Sequence, residues 1–288
     1  MKNLTQALLL LAMLSGSALL SAQTVRPLEG SKYEIAIGDN TMTVDAGQGG
    51  KILSFKHGDQ EVISQMRFPN AYGSTFWTSP QAEWNWPPVR EYDSMSYTAD
   101  VHNGTLILTG HASERFGYRI RKTFTPDPKD GAIVVSYTII NEGDAEKKVA
   151  PWEITRVPNG GFVLFDANPK DVTPADLMQV SSANGVARID IDVANENRKV
   201  NSDGKGWLAF CDNGLVLLKR FKNLKPSEPA PGEAEIQVYI NGRKTFVELE
   251  SQGPYTVLKP GGFLHWSVRW YLLPQGEDVM GTIKPLVK

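Results

Sequence analysis

Polar and apolar residues alternate along most of this chain with a period of two. In Phe263 to Leu272, the residues Leu264, Trp266, Val268, Trp270 and Leu272 fall on one side, and His265, Ser267, Arg269 and Tyr271 on the other. Successive side chains of a strand point to opposite faces, so the pattern predicts a strand with one face in a core. Comparable runs rich in Val, Ile, Thr, Tyr and Phe cover 33–37, 95–101, 105–109, 118–124, 133–140, 186–193, 215–221 and 236–240. Asp130-Gly131, Asn213-Gly214 and Asn241-Gly242 separate such runs and predict tight hairpin turns. No later stretch keeps a helical period for three turns, and Pro174 to Met178 offers one turn at most. Lys225 to Gly232 is rich in proline but too short for a domain linker. The expectation is an all-β chain, a large two-sheet sandwich, forming one domain over residues 23–288.

The N-terminus departs from this pattern. Lys2 precedes an apolar run, Ala7 to Leu14, and small residues follow at Ser15, Gly16, Ser17, Ala18, Ser21 and Ala22. This order predicts a secretory signal peptide over residues 1–22, with cleavage after Ala22. The run falls short of the ~20 residues that a membrane span needs. A periplasmic or secreted protein is expected.

The single cysteine, Cys211, has no partner for an intrachain disulfide. It lies in the apolar run Trp207 to Cys211 and reads as a small core residue. The formal net charge is −2, and loss of residues 1–22 removes Lys2 alone, giving −3. With no basic stripe, nucleic acid is not an expected partner. His57, His102, His111 and His265 are scattered, so no metal site is predicted. There is no Gly-x-Ser-x-Gly elbow and no glycine-rich loop between a strand and a helix, and no cofactor is predicted.

Two segments carry candidate chemistry. In Phe246 to Gln252, Val247, Leu249 and Ser251 are expected to face the core, and Phe246, Glu248, Glu250 and Gln252 to face outward. Two carboxylates and an amide beside an aromatic ring suit a wet cleft of sugar size; on alternation alone an ordinary solvated sheet face is the favoured reading. Residues 72–92 hold Trp77, Trp84 and Trp86 among Gln81, Glu83, Asn85 and Arg90, and no strand or helix period organises them. Long irregular loops often carry function. Aromatic faces stack on sugar C–H groups, while amides, Arg and carboxylates bond hydroxyls. The same rings would also serve as a satellite core pinning a loop.

Three segments together resemble the galactose mutarotase superfamily. Gly49-Gly50-Lys51-Ile52-Leu53-Ser54-Phe55 is similar to its early glycine-led strand. Phe124 with Ile133 to Asn141 is similar to its middle strands. Leu249-Glu250-Ser251-Gln252 resembles its Leu-Glu-Thr-Gln motif and is followed by Pro260-Gly261-Gly262 and a Trp-containing final strand. With Trp77-Thr78-Ser79-Pro80-Gln81, the chain looks closer to an uncharacterised bacterial branch of that superfamily than to the sugar mutarotases themselves. The resemblance implies a supersandwich with a concave sugar-binding face and a glutamate base, carried here by Glu250. The superfamily's histidine acid has no counterpart: the corresponding region, Ala150 to Arg156, reads Ala-Pro-Trp-Glu-Ile-Thr-Arg. Glu153 is the expected substitute, with His265 second, because a carboxyl buried beside another carboxylate holds its proton near neutral pH. Trp77, Gln81, Trp84, Trp86, Arg90, Trp152, Arg156, Glu248, Gln252 and His265 are the expected sugar-binding residues. A carbohydrate-active enzyme, a sugar-binding protein without catalysis and an envelope accessory protein all remain open.

Overall fold

A computed structural model describes residues 24–69, 71–192, 196–243 and 245–288. The signal peptide reading, residues 1–22, lies outside them. Among the described residues, antiparallel strands build one sheet of 11 strands and one of 10. The first sheet runs in the order Thr24–Pro27, Lys32–Ile37, Asn40–Asp45, Lys51–His57, Ser74–Ser79, Lys147–Val157, Val247–Gln252, Ile236–Ile240 and Arg198–Ser202. Short strands Gln60–Glu61 and Thr256–Leu258 add to its sides. The second runs Val180–Ala183, Val186–Asp190, Phe162–Asp166, Trp207–Asp212, Leu215–Phe221, Phe263–Pro274, Ala132–Asn141, Tyr118–Asp127, Thr105–Ala112 and Thr98–His102. The expected two-sheet sandwich is thus the observed one.

The sheets meet through the alternate residues that the sequence pattern picks out. Trp266, Val268, Trp270 and Leu272 are buried, and Leu264 packs against the same core. Across the gap Phe76 stacks on Tyr137 at 4.2 Å and 11°, and Phe55 meets Trp270 edge-on at 5.9 Å. Such aromatic pairs contribute about 0.5–1.5 kcal/mol beyond their burial. Cys211 is fully buried in a smaller cluster capped by the C-terminal helix Val279–Ile283. Tyr271, expected beside His265 on an outer face, is 1% exposed in that cluster, because the helix covers it.

Two further expectations change. The segment 72–92 begins with a regular strand, Ser74–Ser79, which escaped the pattern because all six residues are buried and no alternation remains. Its remainder folds into a 3-10 turn, Gln81–Glu83, and a one-turn helix, Arg90–Asp93. Pro174–Met178, which offered one helical turn at most, is irregular chain with a non-helical turn at Ala175 and Asp176. The Gly47–Gly50 turn shows why glycine stands there. Gly49 has φ +66°, and a Cβ on it would sit 2.0 Å from the Asp93 carbonyl oxygen. Only a residue without a side chain lets the turn approach the helix that carries Asp93.

Candidate functional site

The site is laid out by register across five neighbouring strands of the 11-stranded sheet. Trp152 pairs with Trp77 on one side and Gln252 on the other. Ile154 pairs with Glu250, and Arg156 with Glu248. Glu250 and Glu248 pair in turn with Gln237 and Tyr239, and Tyr239 with Lys199. Directly paired residues point to the same face, so these side chains form one patch on the side away from the second sheet. Val247, Leu249 and Ser251 point inward and are fully buried, as alternation requires.

Over this patch lies a cleft of about 360 Å³, within the usual range for small-molecule sites. Trp77, Trp86, Trp152 and Phe246 form its apolar surfaces; Gln81, Lys199, Tyr239, Asn241, Glu248 and Glu250 supply its polar groups. Trp86 stands 56% exposed at the mouth, edge-on to Trp77 at 6.0 Å. Asp93 braces Trp77 from beneath: its carboxylate accepts the indole N–H at 2.9 Å, the Thr75 hydroxyl at 2.9 Å, and pairs with Lys51 at 2.9 Å.

Glu250 lies on the cleft floor with its side chain 1% exposed. Its Oε2 accepts the Trp152 indole N–H at 2.9 Å and the Lys199 ammonium at 2.9 Å. Burial disfavours the carboxylate and lifts its pKa to about 7; Lys199 opposes this, while Glu248 and Glu233 reinforce it. At Lys199 burial works against the charge, but Glu250, Glu233 and Glu248 together outweigh it and hold the pKa above the ordinary lysine value. The ammonium also sits 5.0 Å from the centre of the Trp152 ring. The cleft therefore joins a carboxyl that titrates near neutrality to a cation that stays charged there. Beside them Glu248 pairs with Arg156 at 2.7 Å, and that guanidinium lies between the rings of Trp77 and Phe246, 5.7 Å from each.

Of the predicted site residues, Glu250, Glu248, Trp77, Trp86, Trp152 and Gln81 converge on the cleft. Others stand behind it. Gln252 is fully buried, accepts the Ser79 hydroxyl and donates to Glu233 and Gln237. Glu233 also accepts the Gln81 backbone N–H at 3.1 Å, so this network holds the turn that carries Gln81. Trp84 is 4% exposed, packs in a cluster with Trp77, Trp152 and Ile154, and donates its indole N–H to the Thr78 carbonyl. It is a wall support rather than a ligand surface.

Three predicted residues are elsewhere. Glu153 is one position out of phase with Trp152 and Ile154, so it points into the space between the sheets. There it pairs with Lys219 at 2.7 Å, both fully buried, and accepts from Tyr137 and Trp270. It does not share the cleft with Glu250. His265 belongs to the other sheet, is exposed, and bonds Thr138 and Ser267. Arg90 opens the short helix with an exposed side chain outside the cleft lining.

Sequence reasoning missed Lys199, Tyr239 and Asn241. Tyr239 and Gln237 were visible as the polar phase of Ile236–Ile240. Lys199 lies in Arg198–Ser202, a strand of four polar residues around Val200 with no local β signature. Among the described residues, no group of three or more His, Cys, Asp or Glu side chains converges as a metal site.

No protein-family model and no curated protein matches the sequence. Solved structures do match in three dimensions. A candidate aldose 1-epimerase from Escherichia coli K12 shares 12% identity, with 88% of this chain and 100% of that chain covered, at a TM-score of 0.58. A galactose mutarotase-like protein from Lactobacillus casei ATCC 334 shares 12%, covering 84% and 100%, at 0.57. Another from Clostridium acetobutylicum shares 9%, covering 87% and 98%, at 0.55. At these identities the likeness establishes the fold: a galactose mutarotase-like β-sandwich over most of the chain.

Proposed function

We propose that the cleft binds an aldose and interconverts its anomers, with Glu250 as the general base. The observation that carries this reading is Glu250 itself, a carboxyl at the floor of an aromatic-lined cleft with its pKa lifted to about 7. A base poised near the working pH combines a useful ionised fraction with real proton affinity. Anomer exchange needs a second group as well. As Glu250 takes the proton from the anomeric hydroxyl, the bond from the anomeric carbon to the ring oxygen breaks, a carbonyl forms, and the ring oxygen must receive a proton. Lys199 is the proton-bearing neighbour on the same wall, and it fills the role that Glu153 and His265 are too distant to serve. Ring closure on the opposite carbonyl face reverses both transfers.

The test is the rate of anomer exchange for free aldoses, followed by proton NMR. Glu250→Gln keeps the shape and cannot accept the proton; it should lower the rate by at least about a hundredfold. An unchanged rate would overturn the assignment of the base. A second reading is favoured by one feature: the Trp152 indole and the Lys199 ammonium both donate to Glu250 Oε2 and fix the carboxylate in place. A sugar-binding protein would use such a fixed carboxylate to accept hydroxyl protons in hydrogen bonds. It would retain sugars on a glycan array and accelerate no anomer exchange.

We also assign the protein to the periplasm or exterior, from the signal-like residues 1–22. The intact mass of protein recovered outside the cytoplasm should lack them.

A further inference from the structure

The cleft over Glu250 does not end at its far wall. Ala71, Asn241 and Phe246 also line an adjoining hollow of about 440 Å³, bounded by Phe68 and by the turn Asn241 to Arg243. The shared residues form the join. The Phe246 ring is tilted against Tyr239 of the first cleft at 6.5 Å and against Phe68 of the second at 5.8 Å. The Asn241 amide donates to the Tyr239 hydroxyl at 3.2 Å, while its side-chain oxygen accepts from Thr245. Asn197 accepts the Gly242 backbone N–H at 2.6 Å. The turn is therefore fastened on both sides.

This fastening presents Arg243. Its φ is 72°, a left-handed backbone in which side-chain-bearing residues are uncommon. Its side chain is exposed at the second hollow and makes no ion pair among the described residues. The charges of the two hollows differ. In the first, Glu250 is paired with Lys199 and Glu248 with Arg156, so its charges are balanced within the protein; in the second, Arg243 is the charged lining residue among the described residues and its charge is free for a ligand.

From this division we infer that the site takes a glycan of at least two units, a neutral reducing unit over Glu250 and a carboxylate-bearing unit against Arg243. The inference rests on the carbohydrate reading of the first cleft and extends it to the substrate class. A hexose with a free anomeric carbon fills the first position. The next unit along the chain enters the second, where the Asn241 wall offers an amide and Phe68 an aromatic face. A guanidinium matches a planar carboxylate with two parallel N–H bonds.

The test is calorimetric titration of the protein with matched probes: galactose, glucose, lactose, cellobiose, and the two aldobiouronic acids obtained by oxidising the non-reducing C6 of those disaccharides. Each acid should bind about three- to tenfold more tightly than its neutral parent at low salt. The preference should fade in high salt, because Arg243 is exposed. Arg243→Ala should lower the affinity for each acid to that of its parent. Equal affinity for acid and parent, or a preference that survives Arg243→Ala, overturns the two-unit acidic assignment alone. Absence of binding by every probe overturns the carbohydrate reading with it. Circular dichroism checks that the variant is folded.

Discussion

Lys199 should set the proton affinity of Glu250, and a ligand-free titration of Lys199→Met reads that effect apart from the proton that Lys199 donates in turnover. Met keeps an unbranched stem beside Trp152 and removes the charge 2.9 Å from Glu250 Oε2. At an effective dielectric near 20 two unit charges at that distance attract by about 6 kcal/mol. The realised effect is smaller, because the Lys199 side chain is 33% exposed and its loss lets water approach. Opposite charges in such contact commonly shift a carboxyl by about 1–3 pKa units. Loss of Lys199 should therefore raise Glu250 from about 7 by about one to two units. The ionised fraction at pH 7 would fall from about half to about a tenth or less; anomer exchange would fall further than this and stay low at higher pH, because the ring oxygen loses its proton donor as well. The assay needs no ligand. Trp152 donates its indole N–H to Glu250, so tryptophan fluorescence should report the titration, with Glu250→Gln as the blank to subtract. Lys199→Arg, which keeps the charge, should leave the midpoint near 7. A midpoint in Lys199→Met at or below that of the unaltered protein would refute the coupling.

Three further outcomes follow from the burial pattern. Glu153→Ala should destabilise the fold by about 3–5 kcal/mol in urea titrations, because it strands Lys219 as an unpaired charge in the core, whereas Glu153→Leu with Lys219→Met should recover only part of that loss, since the Tyr137 hydroxyl and the Trp270 indole stay without their acceptor. Trp84→Ala should cost about 3–5 kcal/mol of stability as a core truncation; Trp86→Ala should leave stability within about 0.5 kcal/mol and weaken sugar binding by about tenfold or less. Stability should fall as pH rises from 5 to 7, because burial lifts Glu250 and Glu235 from the ordinary 4.5 to about 7, so the folded state keeps protons that the unfolded chain has released. Glu250 alone contributes about 2 kcal/mol of that fall, and urea midpoints of Glu250→Gln should show a correspondingly smaller slope.

The parts of this molecule that were legible in the sequence are those in which one strand face is wet. Phe263–Pro274 and Val247–Gln252 alternate in sequence and their apolar phases face the core, although Glu250, Gln252 and Tyr271 of the opposite phases are covered by neighbouring elements as well. Glu250 was placed on the outer face by local parity alone. Ser74–Ser79 and most of Lys147–Val157 are buried on both faces, so alternation carried no information there. In Lys147–Val157 this leaves the side taken by Glu153 unmarked, and in the irregular chain after Ser79 no period separates the buried Trp84 from the exposed Trp86.

Parity would have corrected the expectation for Glu153. Trp152 and Glu153 are adjacent in one strand and cannot face the same cleft without a bulge between them. Naming Trp152 as a sugar contact therefore excluded Glu153 as the acid. The register agrees: Glu153 pairs with Ser251, and Ile154 with Glu250. Lys199 had no comparable signal. It reaches Glu250 from an edge strand 51 residues away, through Tyr239 and Gln237 of the strand between them. Contacts of that kind are set by strand order, which local pattern does not encode. The chemistry of the cleft thus depends on a pairing between distant strands, while the carboxylate closest in sequence to the cleft wall became part of the core.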